Sequence, residues 1–398
     1  MGFLIFSIFV GAIFFPGFAQ AAVTWTGGLT GSWTDSGNWN KTPKEKDDRK
    51  FELSNSILVF DAVDHDINGL TVKGIKLEKG SNTSLTINDA AGTSLLNVTD
   101  EVKVKGTNNT LTLNVARSTA FAGTTKAEGS TSKLVIGHSD ALGASELKLK
   151  DGGIFETSLS SGLIVSNSVI LEGDGGVIGG INDIEFSGFI EGGNKSSLTI
   201  TNSGTTILSG SSNTLTGTTS VTAGILEVNG FSAGATGAIT VATGATLGGS
   251  GTVYGETAIA GTLDLNDGLS FDDTLTFTSG SFIGLTLGAV SPMIDFATLG
   301  AVTGIANSSL KLTLISGWNP SNTYTLFQNT AASSEFSNLA SISFVDADGN
   351  PLIGITGVID GNNFNISGIP EPSSFAMVAG ALTFLLVLNR RRLIIKAG

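Results

Sequence analysis

Short alternating runs of near-constant length, each closed by a glycine-bearing turn, fill the chain from about Ser84 to Leu287 and restrict what it can fold into. Ser84-Leu85-Thr86-Ile87-Asn88, Glu101-Val102-Lys103-Val104-Lys105, Leu111-Thr112-Leu113-Asn114-Val115 and Glu146-Leu147-Lys148-Leu149-Lys150 place apolar side chains on one face and polar ones on the other. A period of two is the signature of a half-buried strand. Asp151-Gly152-Gly153, Asp174-Gly175-Gly176 and Asn229-Gly230 supply turns between runs. No part of this region carries a helical period, which predicts an all-β fold. Units of a β-branched pair, a small residue, glycine, a small residue and leucine recur between Ser220 and Leu265. One such unit is too small to bury its own apolar face, whereas stacked units make a continuous core, the logic of a solenoid. The expectation is a right-handed parallel β-helix (a β-solenoid), on the order of ten coils of about 20 residues and roughly 50 Å long at ~4.8 Å per coil.

Composition supports many tight turns in place of a disordered linker: glycine reaches 54 of 398 residues while proline is only 7. Cysteine is absent, so an exported form must be held by its core and its hydrogen-bond ladder. Past Pro292 the strands lengthen and gain aromatics, as in Leu310-Lys311-Leu312-Thr313-Leu314-Ile315, Tyr324-Thr325-Leu326-Phe327 and Ser341-Ile342-Ser343-Phe344-Val345. The terminal units of a solenoid must differ from the rest to stay soluble. This divides the chain into an N-terminal cap at 22–83, a solenoid at 84–292 and a C-terminal β-rich cap at 293–368. The mixed-sign run from Lys41 to Glu52 reads as a solvated loop.

Residues Leu163 to Asn266 resemble the autotransporter-associated β-strand repeat of bacterial surface proteins. The matching phrases include Ser166-Asn167-Ser168-Val169, Phe186-Ser187-Gly188-Phe189-Ile190-Glu191-Gly192, Thr206-Ile207-Leu208-Ser209-Gly210 and Ala223-Gly224-Ile225-Leu226. The stretch Trp25-Thr26-Gly27-Gly28 to Ser32-Trp33, ending Gly37-Asn38-Trp39, is similar to the opening of the same proteins. The resemblance implies a passenger-type rod, structural or adhesive. The chain departs from the pattern in offering no stretch for the membrane barrel that ends an autotransporter.

Both ends carry targeting features. Met1 to Phe18 is apolar and aromatic and Ala19-Gln20-Ala21 supplies small residues, so 1–21 reads as a secretory signal peptide for the Sec export machinery, without the usual basic residue before the apolar region. At the other end stand Pro370-Glu371-Pro372, a 14-residue apolar run from Phe375 to Leu388, and Arg390-Arg391-Arg392. The run is shorter than the ~20 residues of a spanning helix, and the arginines would remain cytoplasmic. This order resembles the PEP-CTERM sorting signal of exopolysaccharide-producing Gram-negative bacteria, here 369–398 with a hydrophobic helical segment at 375–388. The resemblance implies handling by an exosortase-type enzyme, transient or stable membrane attachment through 375–388, and a cell-surface or extracellular-matrix destination with exopolysaccharide as a possible associate. An ordinary C-terminal anchor is the alternative.

Charge excludes one partner class. The chain is −13, and removing the four basic residues after Glu371 leaves about −17, which repels phosphate backbones and argues against nucleic acid. Chemistry-bearing clusters are sparse. His65 and His138 are the only histidines, and neither a zinc set nor a Ser-His-Asp triad gathers around them. Asp64-His65-Asp66 reads as a turn in an acidic loop. Asp346-Ala347-Asp348-Gly349-Asn350 lacks the distal Glu of a calcium loop, with Gly357 at that position, and reads as a hairpin turn. No cofactor is expected. Asp183 with Glu185, and Asp272 with Asp273, are the close acidic pairs of the solenoid, and they carry the alternative of a polysaccharide lyase or hydrolase. Lys195 is the only basic residue between Gly152 and Leu310, whereas a lyase needs cations for its substrate, so a non-enzymatic role is expected. Trp25, Trp33 and Trp39 have two readings, a stacking platform for sugar rings or packing over the first coil.

Overall fold

The computed structural model describes residues 23–287, apart from 28–30, 45–46, 63, 90–91 and 231–232, and then residues 302–316, 323–325, 339–360 and 363–367. The described chain is an all-β parallel solenoid. Each circuit adds a strand to one face, then to the next, so that residues about one coil apart in sequence become hydrogen-bonded neighbours. The first face runs from Val23–Thr24 and Asp48–Phe51 to Thr214–Leu215 in a ten-stranded sheet. The second begins at Ile57–Asp61 and reaches Val302–Thr303 with twelve strands. The third starts only at Leu163–Val165 and continues through nine strands to Ser341–Val345. Twelve strands on one face make eleven coil-to-coil steps, or about 53 Å at ~4.8 Å each.

The alternation seen in the sequence is the burial pattern of the strands. Ser84–Asn88 and Thr110–Asn114 both bury their second and fourth residues. On the second face the inward positions align into one apolar column: Leu58, Leu85, Leu111, Leu134, Phe155, Ile178, Ile200, Val221, Val241, Ile259 and Phe277. Every member is buried. At ~1.5–3 kcal/mol for each large apolar side chain taken from water, such columns are the main favourable term of the fold.

The coil tightens along the rod. Ile57 pairs with Ser84, 27 residues on, while Ile239 pairs with Thr257, 18 residues on. The intermediate coils fall between, with 23 residues from Thr110 to Lys133 and 20 from Thr219 to Ile239. The early coils have two strand-bearing faces and a turn. The later ones have the second and third faces, with the first reduced to Thr252–Val253 on Ser270–Phe271. Tight corners need glycine. A Cβ on Gly210, Gly230 or Gly251 would lie 2.2, 2.0 or 2.3 Å from the carbonyl oxygen of Gly188, Gly210 or Gly230 one coil below.

The pairing does not change at residue 84 or at residue 292. Asp48–Phe51 and Ile57–Asp61 are already early rungs of two faces, and Ser309–Leu314 and Ser341–Val345 extend the third. The reading of Lys41 to Glu52 as a solvated loop is corrected in part. Asp48–Phe51 is a strand whose Asp48, Arg49 and Phe51 are buried by pairing with Gly74 to Leu77. Its charges are accommodated locally: Lys76 donates to Asp48 at 3.2 Å, and Arg49 donates to the Lys44 carbonyl at 3.1 Å and sits 5.3 Å from the Trp39 ring. Beyond the solenoid, Thr323–Thr325, Asn363–Ser367 and Thr356–Asp360 form an antiparallel sheet. The hydrophobic helical segment expected at 375–388 lies outside the described residues.

Candidate functional site

The first coil is closed by aromatic side chains. Trp25, Trp33 and Trp39 are 2%, 0% and 4% exposed. Trp25 meets Trp39 edge-on at 5.0 Å and Phe60 edge-on at 5.1 Å, and Trp33 lies 5.6 Å from both Phe51 and Phe60. The Trp39 indole N–H donates to the Trp33 carbonyl at 3.0 Å. These rings spend their faces on one another, so the sugar-stacking reading of the three tryptophans gives way to packing. The fold draws them inward because the open end of the solenoid core has no preceding coil to cover it.

The outer side of the first face is a charged lattice that the sequence reading did not single out. Lys50, Lys76, Lys103, Lys126 and Lys148 occupy one register column. Like charges ~4.8 Å apart repel by about 1 kcal/mol per neighbouring pair even in bulk water, so the column needs counter-charges. They flank it on both sides. Lys50 pairs with Glu78 at 3.1 Å, Lys76 with Glu101 at 3.3 Å, and Lys103 and Lys105 with Glu128 at 2.9 and 2.7 Å. Lys126 reaches Glu172 at 2.7 Å, two rungs away. Burial pushes the Glu128 carboxyl up, but hydrogen bonds from Lys105 and Lys103 outweigh it and hold the pKa at about 2. The signal was present in the sequence: Glu101-Val102-Lys103-Val104-Lys105 and Glu146-Leu147-Lys148-Leu149-Lys150 are one phrase repeated two coils apart.

Charge is unevenly shared along the rod. Residues 23–150 carry 15 basic and 15 acidic side chains, while residues 151–370 carry 2 and 18. Among the described residues, no carboxylate after Glu172 has an ion-pair partner. The two acidic pairs weighed for catalysis brace neighbouring coils or their own turn. Asp183 accepts the Thr205 backbone N–H at 2.7 Å, Glu185 accepts from the Ser209 hydroxyl at 2.6 Å, and Asp273 accepts the Thr274 N–H at 2.6 Å. Asp183 and Glu185 also line a cleft of about 410 Å³ with Ser139, Ser161, Ile164 and Ile207.

The remaining polar motifs are turns. His65 Nδ1 accepts the Asp61 N–H at 2.9 Å with its ring against Phe60, and Asp66 is bound by the Ser32 and Thr34 hydroxyls. His138 Nδ1 accepts the Asp140 N–H at 3.1 Å. Asp346 accepts N–H groups of Asp348 and Asn350 at 3.0 and 2.8 Å, closing a hairpin in which Leu352 N–H donates to the Phe344 carbonyl. Among the described residues, no three His, Asp or Glu side chains are grouped to hold a metal ion, and no helix is long and apolar enough to cross a membrane. Pro370, Glu371, Pro372, Arg390, Arg391 and Arg392 lie outside the described residues. Family models, curated proteins and solved structures offer no match to the chain.

Proposed function

We propose that the chain is an exported, non-enzymatic structural rod of the cell surface or extracellular matrix, an adhesin or spacer associated with exopolysaccharide. The observation that carries this reading is the unbroken second face, eleven steps of parallel ladder over a dry apolar column. Its outer side holds small polar side chains in register, with Thr199, Ser220, Thr240, Thr276 and Thr303 in one column. Such a surface suits many weak contacts, and a continuous ladder suits load. The coil winds right-handed, as nearly all parallel crossovers do. Residues 1–21 direct export, and the tail from Pro370 to Arg392 directs sorting by an exosortase-type enzyme, with 375–388 as a helix in the membrane until processing. Burial of the tryptophans weighs against a glycan-binding module built on them.

The test mixes the secreted protein with the producing cell's exopolysaccharide and follows polymer size by gel filtration. Co-migration at larger size is expected. A fall in polymer size would establish the degrading enzyme instead, and unchanged profiles would remove the polysaccharide association. The tail is tested separately: Pro370→Ala with Pro372→Ala is expected to abolish processing, and unchanged processing and retention would sink the sorting role.

A further inference from the structure

The third face begins abruptly. Leu163–Val165 is its first strand, with a partner on one side only, Ile184–Phe186. Leu163 N–H donates to the Asp183 carbonyl at 3.0 Å, and the Val165 carbonyl accepts from Ser187 at 3.0 Å. Successive residues of a parallel strand turn their amide groups to opposite neighbours, so the N–H and C=O of Ile164 face the leading edge. The coil below offers no strand there. Residues 138–144 form a turn, and among the described residues no backbone hydrogen bond joins 138–144 to 159–166. The cleft of about 410 Å³ opens at this step, with Ser139 on the lower coil and Ser161 on the upper.

The surroundings select an occupant. Ile164 is 65% exposed and Ile181 76%, which is unusual for large aliphatic side chains beside an unpaired strand edge. Glu185 follows Ile164 in the same outward column, one rung on, and Asp183 lines the same cleft, with no basic side chain among the lining residues. A lysine added one rung before Ile164 would lie two rungs from Glu185. The protein already makes a bond of that reach, from Lys126 to Glu172 across two rungs at 2.7 Å. The aliphatic stem of such a lysine would lie over Ile164.

We propose that the leading edge of Leu163–Val165 is a docking site for an extended basic peptide, which adds as a further strand and sets a Lys or Arg over Ile164 toward Glu185 and Asp183. Main-chain bonds to Ile164 supply the attachment and the carboxylates the preference for positive charge. The site is independent of the polysaccharide reading.

The test titrates the full chain into a labelled octapeptide of alternating valine and lysine, followed by fluorescence anisotropy and by amide exchange at residues 163–165. Saturable binding with slowed exchange at those residues is expected, and at least tenfold weaker binding of the valine–glutamate counterpart. Glu185→Gln is expected to weaken the lysine peptide about fivefold, and Ile164→Pro to abolish its binding. Ile164→Lys, which leaves the backbone donor in place but sets a cation against Glu185, is expected to weaken it as well and guards against misfolding of the proline variant. Equal binding of an alternating proline–lysine peptide, which cannot form a strand, would overturn the proposal and leave only attraction to the acidic half of the rod. Binding unaffected by both Ile164 variants, or absence of saturation, would overturn it equally.

Discussion

At the scale of single residues, the corners of the coil are the least forgiving positions. Gly230 has ordinary backbone geometry, yet a methyl group there would sit 2.0 Å from the Gly210 carbonyl oxygen, and both atoms belong to backbone held by the ladder. Gly230→Ala is therefore expected to cost at least about 1–3 kcal/mol through overpacking. Gly193 provides the control, since a methyl group there meets nothing within 4 Å and its φ is not left-handed. Gly193→Ala should be neutral or slightly stabilising, because it only restricts the unfolded chain. Urea unfolding of the two variants separates the effects, and equal midpoints would mean that the corners are more compliant than their spacing implies. Arg117 is a second residue whose setting is unusual. Burial lowers its pKa to about 10, and it is held by the Thr125 and Ser145 hydroxyls and the Leu142 carbonyl with no carboxylate partner.

At the scale of elements, the first face behaves as an electrostatic unit. Glu128 is shared by Lys103 and Lys105, and its folded pKa of about 2 lies below the ordinary 4.5. A depressed carboxylate stabilises the fold above its unfolded pKa and loses that contribution as pH falls through the folded one. Stability should therefore decline between about pH 4.5 and pH 2, and the decline should be shallower in Glu128→Gln. Urea midpoints measured across that range decide it; parallel slopes for the two proteins would show that Glu128 is not a main contributor. The strands themselves were legible from the sequence, because a period of two is set by the direction in which successive side chains leave the backbone. Leu85, Ile87, Leu111 and Leu113 were readable as an inner face for that reason. The strand at Asp48–Phe51 was not, because its charged residues are accommodated by partners on other coils, among them Lys76. The tryptophans were ambiguous because a flat aromatic ring suits a glycan and a core equally. The cleft beside Ile164 was not legible at all, since it arises from a mismatch between residues 138–144 and 159–166, which only the winding brings together.

At the scale of the whole molecule, neutrality and charge divide the rod into unlike halves. Residues 23–150 balance, while residues 151–370 carry a net −16. Self-repulsion in the second half is screened by salt, with a Debye length of about 30 Å at 0.01 M and about 8 Å at 0.15 M. Raising ionic strength across that range should slow amide exchange over 239–287 more than over 48–150, because neighbouring coils open locally in a solenoid. Hydrogen exchange with mass spectrometry reads both segments at once, and an equal response in the two would count against the division. The register of the ladder has a further consequence for how such a molecule can change over generations. One whole coil, such as Ile239 to Glu256, occupies a fixed increment of ~4.8 Å. Losing or duplicating it shifts everything beyond by one graduation and leaves each remaining rung with a partner of the same kind. The protein is thus a ruler whose length can be rewritten one mark at a time without inventing a new fold.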